Sequence, residues 1–450
     1  MMKSMDTIAA QATAAGEGGV AIVRLSGSES EAILARVFRA KNAKPLENRR
    51  LTYGVIIDGE DVVDEAMAVM MRAPLSYTRE DVAEIHCHGS QALVGRILRL
   101  LMREGARMAE PGEFTMRAFL NGRIDLTQAE AVMRMIRAGS ERAMRSAVRQ
   151  MEGGVSAFVR HAREEIIMLL SSLAAAIDFP DEVEETETAQ QVLERCSAIR
   201  GRLLASCDAR AGRIEDEGLR VVLAGRPNAG KSSLMNSLLG GERAIVTDIP
   251  GTTRDTLTES FQHDGVRVNL TDTAGLRETS DVVERIGVQR AMKAIHEADV
   301  RVMVIDGSCP EDVLDDFFIG QQPQIVVISK GDLESVVLVQ DVAAQYPCAK
   351  IITVSAMTGE GMDALKDMLV SFAPQDATES SMLSQARHVE AATRACTCLD
   401  DAMNAIDDGM PLDMCAVDLS AALDCLGEIT GETMNERVID DVFARFCVGK

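Results

Sequence analysis

The sequence predicts a multidomain protein: an α+β segment, then long helices, with an α/β nucleotide-binding segment inserted between two helical stretches. Three observations predict it. Residues 225–232 read GRPNAGKS between an apolar run and a helix-like opening. At Leu126 the apolar spacing changes to three- and four-residue steps. Near Glu215 it changes again, to alternating β and α units. At 450 residues the chain exceeds one ordinary core, and 46% hydrophobic with 26% charged residues describes a soluble globular protein.

Composition excludes several classes. Trp is absent, aromatics make up 3% and there are 25 Met, which favours Leu/Met/Ala-packed helices over a β-sandwich. No apolar run approaches the ~20 residues that a membrane span needs. The start, MMKSMDTIAAQ, lacks a secretory apolar core. Ten scattered Cys without a CxxC pair predict a reducing cytoplasm. His86-Cys87-His88 and Cys396-x-Cys398 have no second half at metal-site spacing. A net charge of −23 argues against nonspecific nucleic-acid binding as the main task. Beyond residue 374, five basic residues face fifteen acids, whereas Arg134 to Arg163 is arginine-rich. Any RNA contact is therefore expected to be local or shared with a partner.

The elements follow in order. Residues 1–120 mix strand-like runs, Val20–Leu25 and Glu65–Met70, with helical stretches. Residues 121–214 are helical: Leu126, Ala129, Met133, Ile136, Ala143, Ala147, Met151, Val155 and Phe158 form an apolar stripe. Asp178-Phe179-Pro180 and the following acids break this pattern, which resumes from Ala189. Residues 215–373 hold strands Leu219–Ala224, Glu259–His263, Val266–Asp272, Val300–Asp306, Gln324–Lys330 and Lys350–Ala356, with Asp264-Gly265 a hairpin turn. An α/β sheet with helices on both faces is expected. After a linker at Ala373–Ser381, residues 374–450 return to helix.

The inserted segment carries the chemistry. In the glycine loop, the backbone N–H groups of Asn228, Ala229, Gly230, Lys231, Ser232 and Ser233 would converge on phosphates at a helix N-terminus. Lys231 would reach the β and γ oxygens, and the Ser232 hydroxyl would hold Mg²⁺. Asp272-Thr273-Ala274-Gly275 ends a later strand. Its carboxylate is expected to hold Mg²⁺ through water, and the Gly275 N–H to sense the γ-phosphate. Gly251-Thr252-Thr253 lies between the two, with Thr253 as the second Mg²⁺ ligand.

Ser329-Lys330-Gly331-Asp332 stands where GTPases carry Asn-Lys-x-Asp. Asp332 can accept from guanine N1–H and N2–H. Ser329, in place of Asn, can accept one hydrogen bond but lacks the span. Ser355-Ala356 supplies the matching base loop. Leu276 occupies the place of a water-orienting glutamine and cannot act as one. Asn228, with backbone carbonyls in the stretch Thr247, Asp248, Ile249, Pro250, Gly251 and Thr252, is expected to hold a monovalent cation there. The candidate to orient water, through a second water, is Glu284, which is equally well read as one of several solvated acids near Asp281.

With GRPNAGKSS, TDIPGTTRD, DTAGLRE followed by ERIG, and the terminal FCVGK, the chain resembles the MnmE (TrmE) family of tRNA modification GTPases over its whole length. DTIAAQAT…GGVAIVRLSG, EDVAEIHCHGS and PGEFTMRAFLNGRIDLTQAEA are similar to that family's folate-binding and early helical regions. The resemblance implies an N-terminal folate-binding α+β domain (1–120), a helical domain in two parts (121–214 and 374–450) and a Ras-like G domain (215–373). It implies a cytoplasmic homodimer binding GTP and GDP whose G domains pair when K⁺ is bound, with Asn228, Thr247, Ile249 and Thr252 as K⁺ ligands and Glu284 as catalytic residue.

A tetrahydrofolate derivative, 5-formyl or 5,10-methylene, would lie against Arg24, Glu84, Arg123 and Lys450. The implied reaction adds an aminomethyl or carboxymethylaminomethyl group at C5 of a tRNA wobble uridine. It would run in a heterotetramer with MnmG, which carries FAD. The family's terminal cysteine matches Cys447. This chain departs from the pattern at Ser329, at Arg79 and Ser90 where Gly is usual, and at Arg123 where Lys is frequent. The last change keeps the charge but alters hydrogen-bond shape.

Two other classes compete. A GTP-driven ribosome-assembly switch usually carries a basic or KH-type RNA-binding region, whereas this tail is acidic and Gly16–Gly19 lacks flanking Lys. A folate enzyme with a degenerate GTPase is disfavoured by the intact Lys231, Ser232, Thr253 and Asp272.

Overall fold

Alternation of apolar and polar side chains builds the first sheet. Its strands are β1 (Ile8–Gln11), β2 (Gly18–Ser26), β3 (Phe38–Ala40), β4 (Thr52–Asp58), β5 (Asp61–Met71), β6 (Val82–Gly89) and β7 (Arg107–Met108), in spatial order β3-β4-β5-β6-β2-β1-β7. The structure, a computed structural model, describes residues 6–178, 185–240, 258–272, 293–309, 322–374, 382–434 and 436–449. The chain divides into two compact units, Met1–Met133 with Gln150–Cys196 and Thr397–Lys450, and Arg134–Arg149 with Ser197–Cys396.

In the first unit, Ala21, Val23 and Leu25 of β2 and Ala83, Ile85 and Cys87 of β6 point to one face, as a period of two requires. There they bury against Ile33, Leu34 and Val37 of the helix Ser30–Val37 and Val94, Ile97 and Leu101 of the helix Gln91–Arg103. The other face carries Arg24 and Glu84, which the antiparallel register sets opposite each other. Only two of these strands were expected from sequence. β1 is Ile-Ala-Ala-Gln and β6 alternates Glu84, His86 and His88 with apolar residues, so neither forms an apolar run.

An ion network around the buried Arg117 and Glu113 ties the helix Glu113–Leu120 to Asp6 and Arg107. Arg117 donates to Asp6, Glu80 and Glu113, and Arg107 donates to Asp6 and Glu113. The C-terminal tail docks beside it. Gly112 N–H donates to Cys447 O at 3.3 Å, and Phe443 stacks on Phe446 and Phe119 at 5.1 and 6.1 Å. Gly449 is required: a Cβ there would lie 2.0 Å from Gln11 O, and its φ is +93°. The amphipathic stripe forms the helices Leu126–Arg137, Glu141–Met151 and Gly154–Asp178. Helix resumes at Glu185, four residues earlier than expected.

The second unit holds β8 (Leu219–Ala224), β9 (Thr258–His263), β10 (Val266–Asp272), β11 (Val300–Asp306), β12 (Ile325–Ser329) and β13 (Lys350–Thr353), ordered β13-β12-β11-β8-β10-β9. All pairs are parallel except the β9–β10 hairpin. Its Asp264 and Gly265 both take positive φ, 48° and 70°, as a two-residue hairpin turn demands. Val221, Leu223, Val302 and Val327 bury against the helices Lys231–Leu239 and Met362–Val370. Val222, Met303 and Val326 bury on the opposite face, against Val342 and Tyr346. Two covered faces explain why these strands read as continuous apolar runs. β12 and β13 are shorter than expected, so Lys330, Ser355 and Ala356 lie in loops beyond their strands.

The arginine-rich stretch is not a free basic surface. Arg134 pairs with Glu215 at 2.9 Å and Asp216 at 2.8 Å, Arg142 with Asp264 at 2.9 Å and Arg145 with Glu141 at 2.6 Å. In the first unit Arg163 pairs with Glu432. Among the described residues no helix is long and apolar enough to cross a membrane, and no His/Cys/Asp/Glu group is arranged to hold a metal. None of the ten cysteines forms a disulfide, with Cys447 exposed and Cys87, its thiol pushed up to about 11 by burial, inside the first unit.

Candidate functional site

The parallel strands of the second unit place their C-terminal ends along one edge, where such sheets bind ligands. β8 ends at Ala224 and the chain turns through Gly225, whose φ is +154° and where a Cβ would sit 2.2 Å from Val304 O. Asn228, exposed, takes a positive φ of 66°, and Gly230, at +89°, caps the helix Lys231–Leu239. Ser232 and Ser233 are exposed in its first turn. The loop thus opens onto a helix N-terminus, an arrangement suited to phosphate. Lys231 is 4% exposed, and its ammonium donates to Gly225 O at 2.9 Å and Arg226 O at 2.7 Å.

Ser232 Oγ donates to Asp272 Oδ2 at 3.4 Å. Residues 40 apart in sequence are brought together because β10 runs parallel to β8, pairing Asp272 with Leu223. Two hard oxygen donors at this separation suit Mg²⁺.

The base end is built on β12 and β13. Asp332 is exposed, and its Oδ1 accepts from the buried Ser355 Oγ at 2.6 Å. Ser355 Oγ also accepts from Thr358 N–H at 3.2 Å, and Gly331 N–H donates to Val354 O at 3.0 Å. A carboxylate fixed this way presents its free oxygen to a donor pair such as guanine N1–H and N2–H. Ala356 is half-buried beside it.

The buried Ser329 hydroxyl, expected to be able to accept one bond, donates its proton toward Ala229 O at 2.6 Å and Ile305 O at 3.1 Å. Lys330, at a φ of 58°, extends to Asp306 Oδ2 at 2.5 Å. Burial works to raise the Asp306 pKa, but the bonds from Lys330 and Ser308 outweigh it and hold the carboxyl below its usual range. Asp306 was missed in sequence; the available signal was its position at the end of β11, on the same edge as Asp272 and Ser329.

Thr247, Asp248, Ile249, Pro250, Gly251, Thr252, Thr253, Thr273, Ala274, Gly275, Leu276, Glu284 and Lys450 lie outside the described residues.

In the first unit, Arg24 Nε donates to Glu84 Oε1 at 2.8 Å, and His86 Nε2 approaches Glu84 Oε2 at 3.3 Å. The Arg24 guanidinium lies 5.3 Å from the Tyr77 ring centroid and that of Arg123 lies 4.6 Å from it. Arg123 also donates to Tyr77 O at 2.8 Å. Tyr77 therefore joins two expected ligands, a role the sequence gave no spacing signal for. Beside it opens a cleft of about 660 Å³ lined by Arg49, Val69, Leu75, Tyr77, Arg79 and Arg123, among others. Arginines around an aromatic ring suit a flat anionic ligand such as a folate. Arg79, at a φ of 60°, donates to Asn121 O at 2.9 Å, and Ser90 precedes the helix Gln91–Arg103, makes no side-chain bond to its N-terminus and does not line the cleft.

Residues 7–123 match the family described as GTP-binding protein TrmE N-terminus, and residues 126–447 match the MnmE helical domain. The chain is 46% identical over 456 residues to the tRNA modification GTPase MnmE of Symbiobacterium thermophilum, covering 99% of each chain. It is 44% identical over 460 residues to the proteins of that name from Bacillus velezensis and Bacillus subtilis, covering 99% of this chain and 100% of each of those.

Proposed function

The chain belongs to the MnmE family of tRNA modification GTPases, and on that premise we propose that it is a K⁺-dependent GTP hydrolase that modifies C5 of the wobble uridine of certain tRNAs. The product would be an aminomethyl or carboxymethylaminomethyl uridine, made with a tetrahydrofolate one-carbon unit and the FAD-dependent partner MnmG. The observation that carries the reading is the meeting of Ser232 and Asp272 at the mouth of a glycine loop.

Each residue has a task in this reading. The N–H groups from Asn228 to Ser233 cradle the phosphates, and Lys231 exchanges its two loop carbonyls for β and γ oxygens. Ser232 and Thr253 would hold Mg²⁺, which supplies charge neutralisation at the phosphates, with Asp272 acting through water. Asp332, steadied by Ser355, accepts from guanine. Asn228, with Thr247, Ile249 and Thr252, would hold K⁺, and Glu284 orients the attacking water. Arg24, Glu84, Arg123 and Lys450 would hold the folate, with Tyr77 seating both arginines. We assign the tasks to segments 1–120 (folate), 121–214 with 374–450 (helical frame) and 215–373 (GTP), in a cytoplasmic homodimer that joins MnmG as a heterotetramer.

GTP turnover by the purified protein in KCl and in NaCl at equal ionic strength tests the cation claim. Turnover that collapses in Na⁺ supports it; equal rates in both salts reject it.

A further inference from the structure

Guanine offers two kinds of polar atom. N1–H and the N2 amino group are donors on one edge, and O6 and N7 are acceptors that need a donor from the protein. Ser329 is the last residue of β12, and it has a single proton to give. That proton is committed. Ser329 Oγ lies 2.6 Å from Ala229 O and 3.1 Å from Ile305 O, both acceptors, and the side chain is 5% exposed. A Cβ on Gly230 would lie 3.3 Å from this hydroxyl, so the phosphate loop closes over it. Turning the hydroxyl toward a base would leave the buried Ala229 carbonyl without its donor, and an orphaned buried acceptor costs more than a new bond returns.

We propose that this site leaves guanine N7 unread, Ser329 being a positioning residue that ties the base loop to the phosphate loop. The proposal rests on the assignment of Asp332 as the guanine acceptor. An asparagine at this position would carry two amide protons, one for the loop carbonyl and one for N7. Serine keeps the first bond and gives up the second.

Competition against a fluorescent guanosine diphosphate on the full chain tests this, using GDP, 7-deaza-GDP, IDP and ADP. In the wild type 7-deaza-GDP is expected to bind within about twofold of GDP, and IDP, which lacks the N2 amino group, at least about tenfold more weakly. Ser329→Ala should weaken GDP and 7-deaza-GDP by the same factor, because the loop is loosened and the base contacts are not. Ser329→Asn should create a preference for GDP over 7-deaza-GDP of at least about threefold.

A wild-type penalty of about tenfold on 7-deaza-GDP would overturn the proposal, as would a change in the GDP to 7-deaza-GDP ratio in Ser329→Ala. The alanine variant deletes only an oxygen, so it decides the question if the larger asparagine fails to fold. ADP binding as well as GDP would instead overturn the Asp332 assignment.

Discussion

Ser355 and Asp332 face each other from separate loops, 23 residues apart, with the serine hydroxyl donating to the carboxylate over 2.6 Å. Ser355 is 1% exposed while Asp332 is exposed, so a buried group aims an accessible one. Replacing Asp332 by Asn exchanges one acceptor for a donor. Asp332→Asn should lower GDP affinity by about 100-fold and raise that for XDP, whose C2 carries an oxygen. Ser355→Ala should lower GDP affinity by about tenfold with no gain for XDP. Competition binding measures both, and unchanged GDP affinity in Asp332→Asn would count against the assignment.

Asn228 sits exposed in the glycine loop at a φ of 66°. Asn228→Ala is expected to abolish the difference in GTP turnover between K⁺ and Na⁺ while GTP binds within about threefold of wild type. Loss of nucleotide binding itself would make the residue a structural part of the loop.

Glu113 gives the first unit a dependence on acid. Burial works to raise its pKa, but hydrogen bonds from Arg107, the Glu110 N–H and Arg117 outweigh this and hold it below the ordinary 4.5. A depressed carboxylate contributes stability above the unfolded-state value and loses it as pH falls through the folded-state value. Stability of the wild type should therefore fall as pH drops below 4.5. In Glu113→Gln this slope should shrink, and at neutral pH the variant should lose about 3 kcal/mol because Arg117 stays buried with fewer partners. Denaturant melts at neutral and acid pH check it, and an unaltered slope would refute it.

The Tyr77 ring contacts the guanidinium groups of both Arg24 and Arg123. Tyr77→Ala should weaken binding of 5-formyltetrahydrofolate by about tenfold, and Tyr77→Phe, which keeps the ring, by no more than about threefold. Titration calorimetry reads both. Equal affinity in wild type and Tyr77→Ala would remove the ring from the site.

The candidate nucleotide site could be assembled from sequence because its parts are contiguous or strand-ending. GRPNAGKS forms one loop, and Asp272, Ser329 and Ser355 each lie at or just beyond the end of a strand. Pairings across the fold were not legible. Ser329 donates to a carbonyl 100 residues away, and Arg117 reaches Asp6 111 residues back. Most of the first sheet escaped because Ala9, Ala10 and the polar-interrupted β6 carry little apolar signal; antiparallel register, not composition, sets Arg24 beside Glu84. The ion pairs of the arginine-rich stretch were not legible either, because the acid partners of Arg134, Arg142 and Arg163 lie from 81 to 269 residues away.

Mass spectrometry of tRNA wobble nucleosides addresses the whole account most directly, in cells whose only copy of this protein is wild type or Lys231→Ala, beside cells lacking it. Wild-type cells should carry aminomethyl or carboxymethylaminomethyl groups at C5 of the wobble uridine, and both other strains should have lost them. Identical wobble nucleosides in all three would contradict it.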